Sequence, residues 1–427
     1  MTFSYRYVCV RCAEPQDWGM ICYLCPLCGH NLRIERVERV ERDSAGESLA
    51  AADIVASFCG TGMWRYASLL PVSSRWSSRL AVGDTPLLAL GADDGVHLWV
   101  KDDSRNPSGS LKDRATELVL AAARWLGCTR VVAASTGNAG ASLACIAASQ
   151  QLPATVVVPR HTPYAKLAQI RAYGAQVREI DGTYDEAFDV AVAMADAPDV
   201  YCRNTGFNPF TREGKKTCAF EIAETLGWDV PDWVVVPTGD GNILSGIATG
   251  FLDLHTLGIT ARVPRLLAAQ ASSSHSIAHD WLVSGASGPL PSSPTPVTPD
   301  TVADSLAVAR PRDHLAALQA LRMTQGECVV VTDAQIMASS QILSQRYGLW
   351  FEPSAAAGHA ALSDSIARGR IAPGARVVLL GTGSGLKDPH ACARVACDTA
   401  EIATDAGVFA PPICPGDTID MPMRGRP

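Results

Sequence analysis

The sequence predicts an α/β protein with largely parallel sheet, and three observations predict it. Candidate strands alternate with candidate helices through most of the chain. Polar or glycine-rich turns sit where several of those strands end. The length, 427 residues, is more than one hydrophobic core usually serves, so two or three domains are expected.

Taken in order, the chain opens with Cys9-Val-Arg-Cys12, twelve further residues, and Cys25-Pro-Leu-Cys28-Gly29. Two C-x-x-C knuckles at this separation can close a tetrahedral thiolate shell around zinc. Four thiolates leave no open position for a catalytic water, so a structural zinc site on Cys9, Cys12, Cys25 and Cys28 is expected. Metal-free or redox cysteines are the competing reading, and Cys22 or His30 can replace one ligand. Fourteen cysteines do not imply a disulfide framework in a chain this large. Those scattered in apolar segments, such as Cys145 and Cys218, read as small core hydrophobes.

A charged stretch over residues 33–42 leads into the alternating region. Strands are expected at residues 96–100, 130–134, 154–158, 177–180, 233–236, 265–269 and 376–380. Helical stretches are expected between them at 111–125, 139–150, 164–173 and 214–226. Residues 284–301, rich in Gly, Pro and Ser, read as a mobile surface loop or excursion. No internal repeat is visible.

Composition narrows the function classes. The chain is 47% apolar and 19% charged with a net charge of -7, which gives no reason to expect nucleic acid or anionic membrane as a partner. Apolar runs such as Trp233–Pro237 are far too short to span a bilayer. Arg and Cys stand where a signal peptide needs an unbroken apolar stretch, so a cytoplasmic location is expected.

Four turns carry the chemistry: Asn106-Pro-Ser-Gly-Ser-Leu-Lys112-Asp-Arg114, Ser135-Thr-Gly-Asn-Ala139, Thr238-Gly-Asp-Gly-Asn242 and Gly381-Thr-Gly-Ser-Gly385. Ligands of open α/β sheets bind beyond the carboxyl ends of the strands, so four such turns suggest one site. Of the six lysines, only Lys112 and Lys387 lie in these turns or directly beside them. A lysine amine held near neutral charge forms a Schiff base with an aldehyde cofactor, and a solvated helix-end lysine is the competing reading. In Gly239-Asp-Gly-Asn242, small residues before a helix starting near Ile243 let backbone N–H groups cradle a phosphate. A plain strand-to-helix turn is the alternative, and Asp240 repels a phosphate unless it points away. Asn138 can donate to a phenolic oxygen, and Ser135 and Thr136 can hold a substrate carboxylate. Thr382 offers a hydroxyl to a pyridine nitrogen, which moderates the electron sink and suits elimination and replacement.

Together with Met63-Trp-Arg-Tyr66, Gly83-Asp-Thr-Pro86, the 208–217 segment, Glu352-Pro-Ser-Ala-Ala-Ala-Gly358 and Thr382-Gly-Ser-Gly-Leu-Lys-Asp388, these motifs resemble threonine synthase and its relatives. Those are pyridoxal-phosphate enzymes of fold type II, the tryptophan-synthase-β-like group. The resemblance runs from about Gly62 to Pro389. It implies two domains of three-layer α/β architecture, with a large cofactor-binding domain from 36–117 plus 212–400 and a small mobile one over 118–211. A zinc-ribbon-like segment over 1–35 and a tail over 401–427 complete the chain. The resemblance further implies pyridoxal 5'-phosphate and a homodimer. Lys112 would be the Schiff-base lysine and Asn138 would sit beside the cofactor hydroxyl. Gly239, Asp240, Gly241, Asn242 and Ile243 would surround the phosphate, and Thr382 would meet the ring nitrogen. Ser135, Thr136, Gly137, Asn138 and Ala139 would contact substrate.

Departures bear on the substrate. Ala139 stands where threonine synthases have a threonine, Thr205 and Gly206 where they have an Asn-Ser pair, and Thr211 where they have an arginine. Ser384 replaces a usual His or Asn. Arg212 follows Thr211, but one helical step turns a side chain by about 100°. Charge-assisted hydrogen bonds are worth roughly 1.5–3 kcal/mol each, so these losses should weaken binding of a phosphate ester. The expected function is β- or γ-elimination and replacement on an L-amino acid, with O-phosphohomoserine to threonine the nearest named reaction. The alternatives are a β-replacement enzyme or ammonia-lyase acting on another activated or hydroxylated amino acid, and a non-catalytic ligand- or partner-binding protein.

Overall fold

A computed structural model describes residues 3–37, 51–389 and 391. The 401–427 tail and most of the charged stretch after residue 37 lie outside them. The N-terminal unit comprises β1 (Ser4–Cys9), β2 (Pro15–Gln16) and β3 (Leu32–Val37), followed by α1 (Ala51–Ala56). The α/β body continues with β4 (Leu87–Asp93), β5 (Val96–Asp102), α2 (Lys112–Trp125), β6 (Arg130–Ala134), α3 (Asn138–Ser149), β7 (Ala154–Pro159) and α4 (Tyr164–Ala172). Next come β8 (Gln176–Ile180), α5 (Tyr184–Met194), β9 (Val200–Cys202), α6 (Phe210–Thr225), β10 (Trp233–Pro237), α7 (Asn242–Thr256), β11 (Arg265–Ala271) and α8 (Ser276–Ser284). The last elements are α9 (His314–Met323), β12 (Glu327–Val331), α10 (Asp333–Tyr347), α11 (Pro353–Ala367) and β13 (Arg376–Gly381).

Two sheets organise the body. One has six strands in the order β12-β11-β10-β13-β5-β4, parallel except for the antiparallel β4 at its edge. The other has four parallel strands in the order β8-β7-β6-β9. Strand β10 (Trp-Val-Val-Val-Pro) is buried along its whole length, as a central parallel strand covered on both faces must be. Edge strand β8 carries Arg178 and Glu179 and is only partly covered. Its polar side chains make it a poor template for further pairing.

All seven expected strands are present, most extended by one or two residues. Helix α6 starts at Phe210, four residues ahead of the expected 214, because Asn208 Oδ1 takes the Phe210 N–H at 2.9 Å and supplies the missing first-turn acceptor. The 284–301 segment lacks regular structure beyond the end of α8, as expected, but it is anchored. Asp280 accepts from Thr295 N at 3.0 Å and from its hydroxyl at 2.5 Å, and Ser273 bonds both polar backbone groups of Asp300. Cys218 is buried in the apolar core, and Cys145 is buried as well.

Candidate active site

The Lys112 turn is fixed from both sides. Asn106 Oδ1 accepts the Gly83 N–H at 2.9 Å, while Asp113 accepts from the Ser108 N–H and hydroxyl, both at 2.6 Å. The turn is also stitched to the end of β13. Leu111 N–H donates to Thr382 O at 2.9 Å, and Ser384 N–H donates to Gly109 O at 3.0 Å. Lys112 and Thr382, 270 positions apart, thus become neighbours of one backbone seam.

Lys112 is the first residue of α2 and is half-buried. Among the described residues its Nζ has no hydrogen-bond or ion-pair partner. Burial pushes its pKa below the ordinary 10.5; Asp240 and Glu352 oppose the shift and Arg203 adds to it. An amine that loses its proton easily is suited to covalent use. The rival Lys387 is held instead by Ser108 O at 3.1 Å and Gln169 Oε1 at 2.5 Å.

Lys112, residues 135–139, Gly239, Asp240, Ile243 and Thr382 line one cavity of about 530 Å³. Gly241 and Asn242 are not on its wall; both are buried behind Gly239 and Ile243. Gly241 has φ +89°, and a Cβ there would meet Ala317 Cβ at 2.7 Å, so glycine is needed. A Cβ on Gly239 would meet Ser305 O at 2.7 Å. The first bond of α7 runs from Ser245 N–H to Gly241 O at 3.0 Å, so the Ile243 and Leu244 amides have no acceptor within the helix. Asp240 turns its Oδ1 onto the Asn242 N–H at 3.0 Å, and its charge acts on Lys112, Arg203 and Lys215. The repulsion expected of Asp240 is therefore offset by its attraction to the buried Arg203 guanidinium. An unpartnered lysine, an open pair of helix N-terminal amides and a side-chain-free cradle fit pyridoxal phosphate.

Asn138 opens α3 and donates its amide to Glu352 Oε1 at 2.8 Å and Oε2 at 3.0 Å, with Ser305 Oγ at 3.3 Å. Gly383 lies close against this pair, where a Cβ would meet Glu352 Oε1 at 2.5 Å. Burial raises the Glu352 pKa, against the lowering pull of Asn138 and Lys112. Sequence reasoning missed Glu352 as a site residue; its place at the start of the apolar α11 was the available signal.

Lys215 and Arg203 were also missed, both fully buried. Lys215 Nζ donates to Asn242 Oδ1 at 2.5 Å, and Arg203 reaches the hydroxyls of Thr116 at 3.1 Å and Thr205 at 2.5 Å, leaving Nη2 without a partner. Nothing local in the sequence marks them. Arg212 is ion-paired with Asp313 and bonded to Ser245, and the Thr211 hydroxyl is turned to Asn208 O at 2.6 Å. Neither supplies a free donor to a substrate phosphate.

At the N-terminus the sulfurs of Cys9, Cys12, Cys25 and Cys28 lie within 4.8 Å of one another, with Cys9–Cys28 at 3.4 Å, Cys12–Cys28 at 3.6 Å and Cys12–Cys25 at 3.7 Å. Tetrahedral zinc thiolates have sulfurs about 3.8 Å apart, so the group fits the ion. Cys22 turns to Leu24 O, and the His30 ring bonds Cys28 O and Ser292 O, outside the cluster.

Residues 78–383 match the family described as pyridoxal-phosphate dependent enzyme. The chain is 33% identical to threonine synthase of Methanocaldococcus jannaschii over 408 residues, covering 94% of this chain and 97% of that protein. It is 33% identical to threonine synthase of Mycobacterium tuberculosis over 330 residues, 76% of this chain and 88% of that protein. Among solved structures, the processed form of threonine deaminase isoform 2 from Solanum lycopersicum superposes with a TM-score of 0.61 at 21% identity, covering 73% of this chain and 86% of that one. Maize serine racemase superposes with a TM-score of 0.60 at 21% identity, over 74% and 93%. At these identities the structural likeness speaks for the fold. With the fold, the cavity and these relatives in agreement, the chain belongs to the pyridoxal-phosphate-dependent enzymes of fold type II, as a threonine-synthase-like lyase.

Proposed function

We propose that this enzyme carries out β- or γ-elimination and replacement on an L-amino acid, with Lys112 as the covalent lysine. The observation that carries the reading is the unpartnered Lys112 amine in the same cavity as the open N-terminus of α7. Bound pyridoxal phosphate supplies an electron sink for carbanion chemistry at the substrate's α carbon. Lys112 would hold the cofactor, and its amine would move protons at the substrate's α and β carbons. The amides of Ile243 and Leu244 would hold the phosphate, aided by the positive end of α7. Asn138 would donate to the cofactor hydroxyl, and Thr382 would offer a hydroxyl at the ring nitrogen. Ser135, Thr136 and the amides through Ala139 hold the substrate carboxylate at the start of α3.

A further part of the proposal concerns the whole chain: a structural zinc on Cys9, Cys12, Cys25 and Cys28, a homodimer, and a small domain over 118–211 that closes over substrate. The cysteines among the described residues are all free, which suits the cytoplasm. No helix among the described residues is long and apolar enough to cross a membrane.

Conversion of O-phosphohomoserine to threonine is the nearest named reaction. A second reading, the same core acting on another activated or hydroxylated amino acid, is favoured by Ala139, by the ion-paired Arg212 and by the engaged Thr211. Mass-spectrometric product analysis with O-phospho-L-homoserine separates them. Threonine and phosphate at an enzymatic rate support the first; no turnover beside a Schiff-base spectrum supports the second. A protein that stays colourless with added pyridoxal phosphate overturns both.

A further inference from the structure

Asp313, at the N-cap of α9, is fully buried and joins four separate segments. Its carboxylate accepts from Asn242 Nδ2 at 3.0 Å and Ser245 Oγ at 2.6 Å on α7, and it pairs with Arg212 on α6. Its N–H donates to Asp240 O at 3.0 Å, and its carbonyl would lie 3.1 Å from a Cβ on Gly241. The fourth segment is the N-terminal unit. Asn31, three residues beyond Cys28, donates Nδ2 to Asp313 Oδ1 at 3.2 Å and to Arg312 O at 2.5 Å. The adjoining Leu32 carbonyl accepts from Arg212 at 3.4 Å.

We infer that Asn31 and Asp313 are positioning residues, through which the N-terminal cysteine unit holds the 239–243 turn in shape for the cofactor phosphate. The inference rests on the reading of that turn as the phosphate site. The Asn242 side chain is clamped between Asp313 and Lys215, so its backbone, and that of Ile243 beside it, follows the Asp313 carboxylate. A buried carboxylate keeps one orientation only while its donors are in place, since an unpaired buried polar atom is costly. Asn31 is the one donor among these that comes from outside the α/β body. Another bond between the units, from Gln319 Nε2 to Val10 O at 2.9 Å, docks the same unit without touching the turn.

The test compares affinities of full-length protein for pyridoxal phosphate and for phosphate-free pyridoxal, by absorbance titration. Asn31→Asp keeps the side chain's shape and sets a carboxylate against Asp313. It is expected to weaken pyridoxal phosphate binding about tenfold, the scale of one charge-assisted hydrogen bond, and to leave pyridoxal binding unchanged. Gln319→Ala is expected to change neither. If Asn31→Asp does not fold, Asn31→Ala removes the donor alone and should give a smaller loss of the same selectivity. Unchanged phosphate-cofactor affinity in a folded Asn31 variant overturns the inference. Equal losses in Asn31→Asp and Gln319→Ala also overturn it, by assigning the effect to docking in general. If wild-type protein binds both compounds equally, there is no phosphate cradle at all, and the reading beneath the inference fails first.

Discussion

Two lysines stand beside glycine-rich turns, and their hydrogen bonds separate them. Lys387 is held by Ser108 O and Gln169, whereas the Lys112 amine opens onto the cavity. Lys112→Ala should therefore abolish turnover and the Schiff-base absorbance while circular dichroism stays native; retained turnover would mean the wrong lysine was chosen. The amine's pKa is depressed below 10.5, chiefly by burial, so its uncharged form is populated at a lower pH than in a free lysine. Capture of pyridoxal phosphate by apo-protein, followed spectroscopically, should reach half its limiting rate below pH 10.5; a midpoint at or above it would contradict the buried environment. At this scale the sequence marked Lys112, Asn138 and Thr382 by their turns. Lys215 and Arg203 left no local mark, and Glu352 only its place at the start of the apolar α11, because their partners are 27, 87 and 214 positions away in the chain.

The elements set backbone shape. Gly241 begins α7 in the left-handed region with Ala317 against it, so Gly241→Ala should cost more than tenfold in pyridoxal phosphate affinity, read by titration of the folded variant. Wild-type affinity there would remove the turn from the phosphate site. The two cysteine knuckles lie at the ends of short antiparallel pairings that gather all four sulfurs. Metal analysis should find about one zinc per chain, lost on replacing Cys12 or Cys28 by Ser. None in freshly prepared wild-type protein would leave the cluster as reduced thiols. The spacing of those cysteines was legible because both knuckles are local. The start of α6 was not, since the Phe210-to-Asn208 bond before it belongs to a turn that the helical periodicity does not record.

Across the whole molecule, a buried ionic network joins β5, α2 and α6. Arg114 meets Asp103 at 2.7 Å and Glu221 at 2.6 Å, and Lys101 meets Glu221 at 2.7 Å. Glu221 also accepts the Asp84 N–H at 2.8 Å. Burial raises the Glu221 pKa, but Arg114 and Lys101 outweigh it and bring it down to about 2, from an ordinary 4.5. A depressed carboxyl contributes stability that is complete above its unfolded pKa and is lost as pH falls through the folded one. Denaturation curves should show stability declining from about pH 4.5 toward pH 2, and Glu221→Gln should flatten that limb. At pH 7 the same variant should be roughly 3–5 kcal/mol less stable, because it takes the carboxylate partner from buried Lys101 and one of the two from buried Arg114. An unchanged acid limb would assign acid sensitivity to other groups.

Polar contacts also join the two sheet units. Lys166 pairs with Asp304 at 2.6 Å, Arg312 with Asp185 at 2.6 Å, and Gln169 donates to Ser108 O at 3.0 Å. Each bridges a long sequence gap, and none was legible from the chain. The α/β class, the strand and helix series, the cysteine knuckles and the four turns could all be read from the chain. These follow from periodicity, spacing and small residues, which are local properties of a chain. That Arg212 serves Asp313 rather than a substrate, that the buried Arg203 feels the Asp240 charge, and that the N-terminal unit reaches Asp313 beside the 239–243 turn came from packing alone. Those outcomes depend on which charges are buried side by side, and burial is created only when distant segments pack.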